Sequence, residues 1–143
     1  MAEIKEENIN IRELILQREP IIMLDAFYGA TESEADTGFV VSDDNLFCSD
    51  GYLMEPGVVE HIAQSASAFA GYKAKAGNMP TPVGYIAEVK NFRIHFLPHV
   101  GDCLRTHIHI VSEILGVSLL TAETKVEEEV VARCRMKIFI KPS

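Results

Sequence analysis

The sequence predicts an α+β protein in which an antiparallel sheet wraps one long central helix. Three observations carry that expectation. A helical pattern from Pro56 to about Lys75 is apolar or small nearly all round, a closing strand from Val130 to Ile140 alternates between two faces, and the chain runs from early strands through one helix to strands only. A helix without a charged stripe has to be covered on most sides, and a sheet curled around it supplies that cover within one domain. The 143 residues suit a single domain over 1–143 with its own core, behind a polar leader over residues 1–10 that is expected to be flexible.

Each element follows from local patterning. Ile11, Leu14 and Ile15 have helical spacing and predict a short amphipathic helix from Ile11 to Gln17, stopped by Pro20. The apolar run Ile21 to Phe27 reads as a buried strand, and Thr31 to Val41 as a second. Asp43 to Glu55 reads as loop, with Asp50-Gly51 as turn chemistry. Val58, Val59, Ile62, Ala63, Ala66, Phe69 and Ala70 set the helical period. Pro56 fits the first helical turn, and Gly77-Asn78 ahead of Pro80 ends the helix. A meander of four strands follows: Val83 to Phe96, Cys103 to Ser112, Val117 to Val126 and Val130 to Ile140. In the last, Val130, Ala132, Cys134, Met136, Ile138 and Ile140 share one face and Arg133, Arg135 and Lys137 the other. That is the pattern of a sheet with one buried and one solvated side.

Composition narrows the function. With 13 Lys+Arg against 21 Asp+Glu the formal charge is -8, which excludes a nucleic-acid binder, because phosphate contact needs a basic face. No apolar stretch approaches a bilayer span and the N-terminal residues lack a signal-peptide pattern, so a cytoplasmic protein with no membrane contact is expected. Cys48, Cys103 and Cys134 are odd in number and lack ligand spacing, which argues against a disulfide framework or a zinc site. His107 and His109 share a strand face but have no third ligand beside them, so no metal is expected. One layer of sheet around one helix leaves apolar surface that needs a partner subunit.

Three stretches narrow the fold. Leu16-Gln17-Arg18-Glu19-Pro20-Ile21-Ile22-Met23-Leu24-Asp25 resembles the opening of the 3-hydroxyacyl-acyl-carrier-protein dehydratases, where a Leu-Pro-His-Arg-x-Pro stretch runs into an apolar strand ending in Asp. Met54-Glu55-Pro56-Gly57-Val58 and then Glu60-His61-Ile62-Ala63-Gln64 resemble that family's Met-Pro-Gly-Val stretch and its Glu-x-x-Ala-Gln helix motif. Asn91-Phe92-Arg93 with Val100-Gly101-Asp102 is similar to its Phe-Arg-x-Pro-Val-x-Pro-Gly-Asp turn. Around the helix the chain also looks like the dehydratase-like subunits of aryl-polyene pigment clusters, which pair with a second hotdog protein. The resemblance runs in consistent order from Leu16 to the C-terminus and implies the hotdog fold, with sites formed between the protomers of a homodimer or heterodimer.

The chemistry implied is removal of water from a 3-hydroxyacyl thioester. It needs a base for the proton beside the carbonyl, an acid for the departing hydroxyl and donors for the carbonyl oxygen. The resemblance implies Glu60 as the acid and the backbone N–H groups of Gly57 and Val58, just after Pro56, as carbonyl-oxygen donors. Gln64 lies one turn beyond Glu60 on the same face and is placed to orient its carboxylate. The family's other group is a His in a Gly-His-Phe-Pro stretch before the helix, and the corresponding loop here, Asn45 to Leu53, contains no histidine. His61, Asp50 and Cys48 are the candidate replacements. His61 lies about 100° round the helix from Glu60, and its alternative reading is a hydrogen-bonded interface histidine. Phe47 and Tyr52 are candidates to line an acyl tunnel, against the ordinary use of aromatic side chains as core.

The resulting expectation is a 3-hydroxyacyl-thioester dehydratase-like protein of fatty-acid or polyketide-type biosynthesis, with an incomplete catalytic pair. It would take its substrate from acyl carrier protein or coenzyme A and need no external cofactor. The alternatives are a hotdog acyl thioesterase, which does not need the missing His, and a non-catalytic acyl-binding subunit of a heterodimeric dehydratase. An acidic carrier would require a local basic patch, for which Lys90, Arg93, Arg105, Arg133, Arg135 and Lys137 are candidates.

Overall fold

The computed structural model describes residues 9–141. The expected polar leader therefore lies outside the described residues except for Ile9, which packs against the core, and Asn10, whose side chain accepts the Arg12 N–H at 3.0 Å. In chain order the described elements are β1 (Ala26–Ala30), β2 (Glu34–Val40), β3 (Cys48–Ser49), β4 (Tyr52–Leu53), α1 (Glu55–Ala76), β5 (Val83–Ile94), β6 (Cys103–Ile114), β7 (Val117–Val126) and β8 (Glu129–Lys141). Among the described residues six strands form one antiparallel sheet in the order β1-β2-β6-β7-β8-β5, and β3 pairs with β4 in a separate hairpin.

The helix is swallowed by this sheet as its composition requires. Val58, Ile62, Ala68 and Phe69 are buried against Leu104, Ile108, Leu120 and Ile138 from the sheet's inner face. The small residues of α1 permit close backbone approach. A Cβ on Gly71 would lie 1.8 Å from the Leu14 carbonyl oxygen, and a Cβ on Gly84 of β5 would lie 2.7 Å from Ser67 Oγ. In β8, Val131 and Ala132 are both fully buried, because a bulge opposite Thr124 and Lys125 breaks the alternation there.

Four sequence expectations are corrected. The helix expected over Ile11 to Gln17 is a single 3-10 turn, Ile11–Glu13. Arg18 intervenes, donating to the carbonyls of Arg12, Ile15 and Gln17 at 2.8–3.0 Å. The spacing nonetheless places Ile11, Leu14 and Ile15 in the core. Ile21 to Asp25 is irregular rather than a strand, with bends at Ile21 and Asp25, and the ladder starts at Ala26. The loop before the helix contains a hairpin turning at Asp50 and Gly51, both at positive φ (53° and 83°). The last four strands are not a simple meander: β6, β7 and β8 are, but β5 lies outermost beside β8. The segment after β5 pairs with Leu53 through Pro98 and with Val41 through Asp102, so the chain enters β6 beside β2.

Candidate active site

The second turn of α1 carries Glu60, half-buried, and one turn further Gln64, fully buried. The Gln64 amide is used completely. Its Oε1 accepts the Met23 N–H at 2.6 Å, and its Nε2 donates to the Ile21 carbonyl at 2.9 Å and to Glu60 Oε2 at 2.8 Å. A peptide N–H can only donate, so the amide oxygen must face Met23 and the amide nitrogen must face Glu60. Gln64 thus stands in for a strand's peptide group, which is why Ile21 to Met23 needs no neighbouring strand, and one carboxylate oxygen of Glu60 is held in place.

His61 reaches the same segment from a neighbouring face of the helix. It is fully buried, with Nδ1 2.8 Å from the Met23 carbonyl and Nε2 2.7 Å from Thr106 Oγ1. The carbonyl can only accept, so Nδ1 carries the proton and Nε2 accepts from Thr106, which in turn accepts from Thr124 at 2.6 Å. Burial pulls its pKa down to about 4, against a smaller opposing effect of the Met23 bond. With both nitrogens engaged and its ring 5.9 Å from that of Phe39, His61 has none to offer a substrate, and it lies in the core rather than at a surface. Ser65 extends this polar seam, donating to the His61 carbonyl at 2.8 Å and accepting from Thr37 at 2.7 Å.

At the helix start, the N–H groups of Gly57 and Val58 both donate to the Met54 carbonyl, at 2.9 and 3.3 Å. Gly57 is pressed against the preceding loop: a Cβ there would lie 2.5 Å from Leu53 Cδ1 and 2.6 Å from Phe47 Cβ. Phe47 therefore packs at the N-terminus of α1 beside exposed Pro56, while Tyr52 is 40% exposed and lies with its ring 4.4 Å from that of His99. Cys48 sits 3.5 Å from the Ser42 carbonyl, and burial, then the charges of Asp43 and Asp44, raise its pKa, which disfavours the thiolate that a nucleophile needs. Asp50 is exposed at the hairpin tip.

Of the candidate cations, five collect on the outer face of β5 and β8. Lys90 stands opposite Arg135, Arg93 opposite Arg133, and Lys137 opposite Glu88, with which it pairs at 3.7 Å. Arg105 is apart on β6, over the Tyr28 ring at 3.8 Å. Among the described residues no group of three or more His, Cys, Asp or Glu side chains could hold a metal ion, and no helix is long and apolar enough to cross a membrane. Sequence reasoning missed the meeting of Tyr52 with His99. No local signal foretells it, since the two residues are joined only by a β-bridge formed in the fold.

A sheet curled around one helix that carries a clamped carboxylate near its N-terminal end defines a hotdog-fold, dehydratase-like protein. Residues 9–143 match the ApeP-like family, described as ApeP dehydratase, and the chain belongs to that family. No curated protein matches the sequence. The dehydratase heterocomplex ApeI:P from Xenorhabdus doucetiae is similar at a TM-score of 0.89 and 15% identity, over 96% of this chain and 93% of that one. A hypothetical thioesterase protein from Streptococcus pneumoniae, solved with coenzyme A, is similar at 0.65 and 8% identity, over 82% and 85%. The PaaI protein of the Escherichia coli phenylacetic acid degradation operon is similar at 0.59 and 11% identity, over 79% and 80%. At these identities the structures speak for the fold, and the family match speaks for the dehydratase branch.

Proposed function

We propose that this chain dehydrates a 3-hydroxyacyl thioester, presented on acyl carrier protein or coenzyme A, in fatty-acid or polyketide-type biosynthesis in the cytoplasm. The observation that carries the reading is the hydrogen bond from Gln64 to Glu60, in which a buried amide holds a half-buried carboxylate on the helix. Glu60 is the acid that protonates the departing hydroxyl, and Gln64 positions it. The Gly57 and Val58 N–H groups, at the positive end of α1 behind Pro56, are the donors that turn from Met54 to the thioester carbonyl. Phe47 and Tyr52 border the acyl chain. The chemistry requires no external cofactor.

The working form in this reading is a dimer with a second hotdog subunit, identical or different. Its support is the outer edge of β5, a strand of twelve residues that among the described residues is paired on one side only, with Tyr85 54% and Ile86 41% exposed. ApeI:P is itself a heterocomplex. The cations of β5 and β8 form the landing surface for an acidic carrier.

The test follows enoyl formation and thiol release together from 3-hydroxyacyl thioesters, with wild type and Glu60→Gln, each purified with any subunit that accompanies it. Enoyl product that falls on the order of 10²–10⁴-fold in Glu60→Gln supports the reading. Thiol release dependent on Glu60 would make the protein a thioesterase. Silence in both channels from folded protein would make it a binding subunit.

A further inference from the structure

Dehydration needs two proton-transfer groups, and the reading above assigns only Glu60. The loop before α1 offers little for the second: burial and the charges of Asp43 and Asp44 disfavour a Cys48 thiolate, and Asp50 is exposed at a turn. His61 is spent in the core.

The fold delivers a different group to this loop. Residues 98–100 run alongside the β3–β4 hairpin, with the Leu53 N–H donating to the Pro98 carbonyl at 2.8 Å and the Val100 N–H to the Gly51 carbonyl at 2.9 Å. Tyr52 and His99 are bridge partners, so their side chains leave the same face, and the rings meet at 4.4 Å with a 45° tilt. The backbone of His99 is fixed from several directions. Its N–H donates to the Asp102 carboxylate at 2.8 Å and its carbonyl accepts the Asp102 N–H at 3.0 Å. Gly101 makes that turn at φ 97°, a left-handed conformation, and the turn is tied to Val41 by two further bonds of 2.8 and 2.9 Å. The imidazole itself is exposed, and its ring nitrogens make no hydrogen bond among the described residues. An unengaged imidazole on a rigid mount is a preorganised proton acceptor. The mount leads straight into α1, for Tyr52 and Leu53 are followed at once by Met54, its N-cap.

From this placement we propose that His99 is the second catalytic group, the base that takes the proton beside the thioester carbonyl, with Tyr52 holding the plane of its ring. The assignment rests on the dehydratase reading. A neutral ring nitrogen accepts the carbon-bound proton, and the electron pair left behind forms the double bond as the carbon–oxygen bond breaks. The hydroxyl leaves as water with the proton of protonated Glu60. The imidazolium then returns its proton to the Glu60 carboxylate through solvent, which restores both groups.

The test uses 3-hydroxyacyl thioesters of coenzyme A and of carrier protein with wild type, His99→Gln, His99→Asn and Glu60→Gln, each in its native assembly. His99 is exposed, so both of its variants are expected to keep the wild-type melting temperature. Each should lower kcat for enoyl formation on the order of 10²–10⁴-fold with KM within about threefold. His99 variants within about twofold of wild type, beside a silent Glu60→Gln, overturn this assignment and leave the dehydratase reading standing. Wild type that forms no enoyl product on either carrier overturns both.

Discussion

The Gln64 amide and the Glu60 carboxylate meet at 2.8 Å one helical turn apart, and the same amide holds the backbone of Ile21 and Met23. Replacing Gln64 by Leu keeps the volume but orphans a buried N–H and a part-buried carbonyl. A loss of roughly 2–4 kcal/mol is expected from two such groups. Chemical denaturation should show it, and a Gln64→Leu midpoint equal to wild type would mean that the Ile21–Met23 segment is held by other contacts.

Acid should unfold the protein through His61. Its pKa is about 4 in the fold against the ordinary histidine value of 6.5, so the unfolded chain binds the extra proton in that interval. The stability is fully present above pH 6.5 and drains away as the pH falls toward 4, by about 3 kcal/mol in order of magnitude. His107 has the opposite sign. Burial lowers its pKa, but Asp36 and Glu34, at 3.0 and 2.8 Å, outweigh burial and raise it, so its contribution is present at low pH and lost as the pH rises through the raised value. That pair is half-exposed and screened, so His61 should dominate. Melting temperatures measured between pH 4 and 7 should flatten in His61→Gln but not in His107→Gln.

Gly71→Ala should loosen the N-terminal segment from the helix. The new methyl meets the Leu14 carbonyl at 1.8 Å, and backbone cannot rotate aside as a side chain can. The cost should be about 1–3 kcal/mol or more. Because Lys75 also pairs with Glu13 and Thr81 donates to its carbonyl at 3.2 Å, the segment should remain attached at that end. Limited proteolysis should cut near residues 14–20 faster than in wild type, and unchanged cutting would count against the packing described.

Ile86→Lys should weaken subunit association through β5, because a charge on an open strand edge opposes edge-to-edge pairing. Ile86 is 41% exposed in the single chain, so the monomer should stay folded. Sedimentation at matched concentration should show more monomer, and an unshifted distribution would place the subunit contact elsewhere.

Legibility in the sequence followed the range of the interactions. The central helix, β7 and the facing of β8 could be read because hydrophobic periodicity is a local property, set by the 3.6- and 2-residue geometry of the backbone itself. Glu60 and Gln64 were readable as a pair for the same reason, since a spacing of four puts them on one helix face. The segment Ile21 to Asp25 looked like a strand because it is apolar. Met23 at its centre is held instead by side chains 41 and 38 residues away, and no local pattern encodes that.

The remaining decisions were tertiary. Whether His61 was a catalytic group or a core residue depended on Met23 and Thr106, one on a separate segment and the other on a separate strand, both meeting the ring at hydrogen-bond distance. That β5 takes the sheet edge depended on residues 95–102 binding Leu53 and Val41 before the chain returns as β6. The contact of Tyr52 with His99 arose from the same crossing. The sequence by itself determined the elements and the carboxylate on the helix, because those follow from neighbours along the chain. Which side chains share a surface, and which are sealed in the core, was decided only when distant backbone segments satisfied each other's hydrogen bonds.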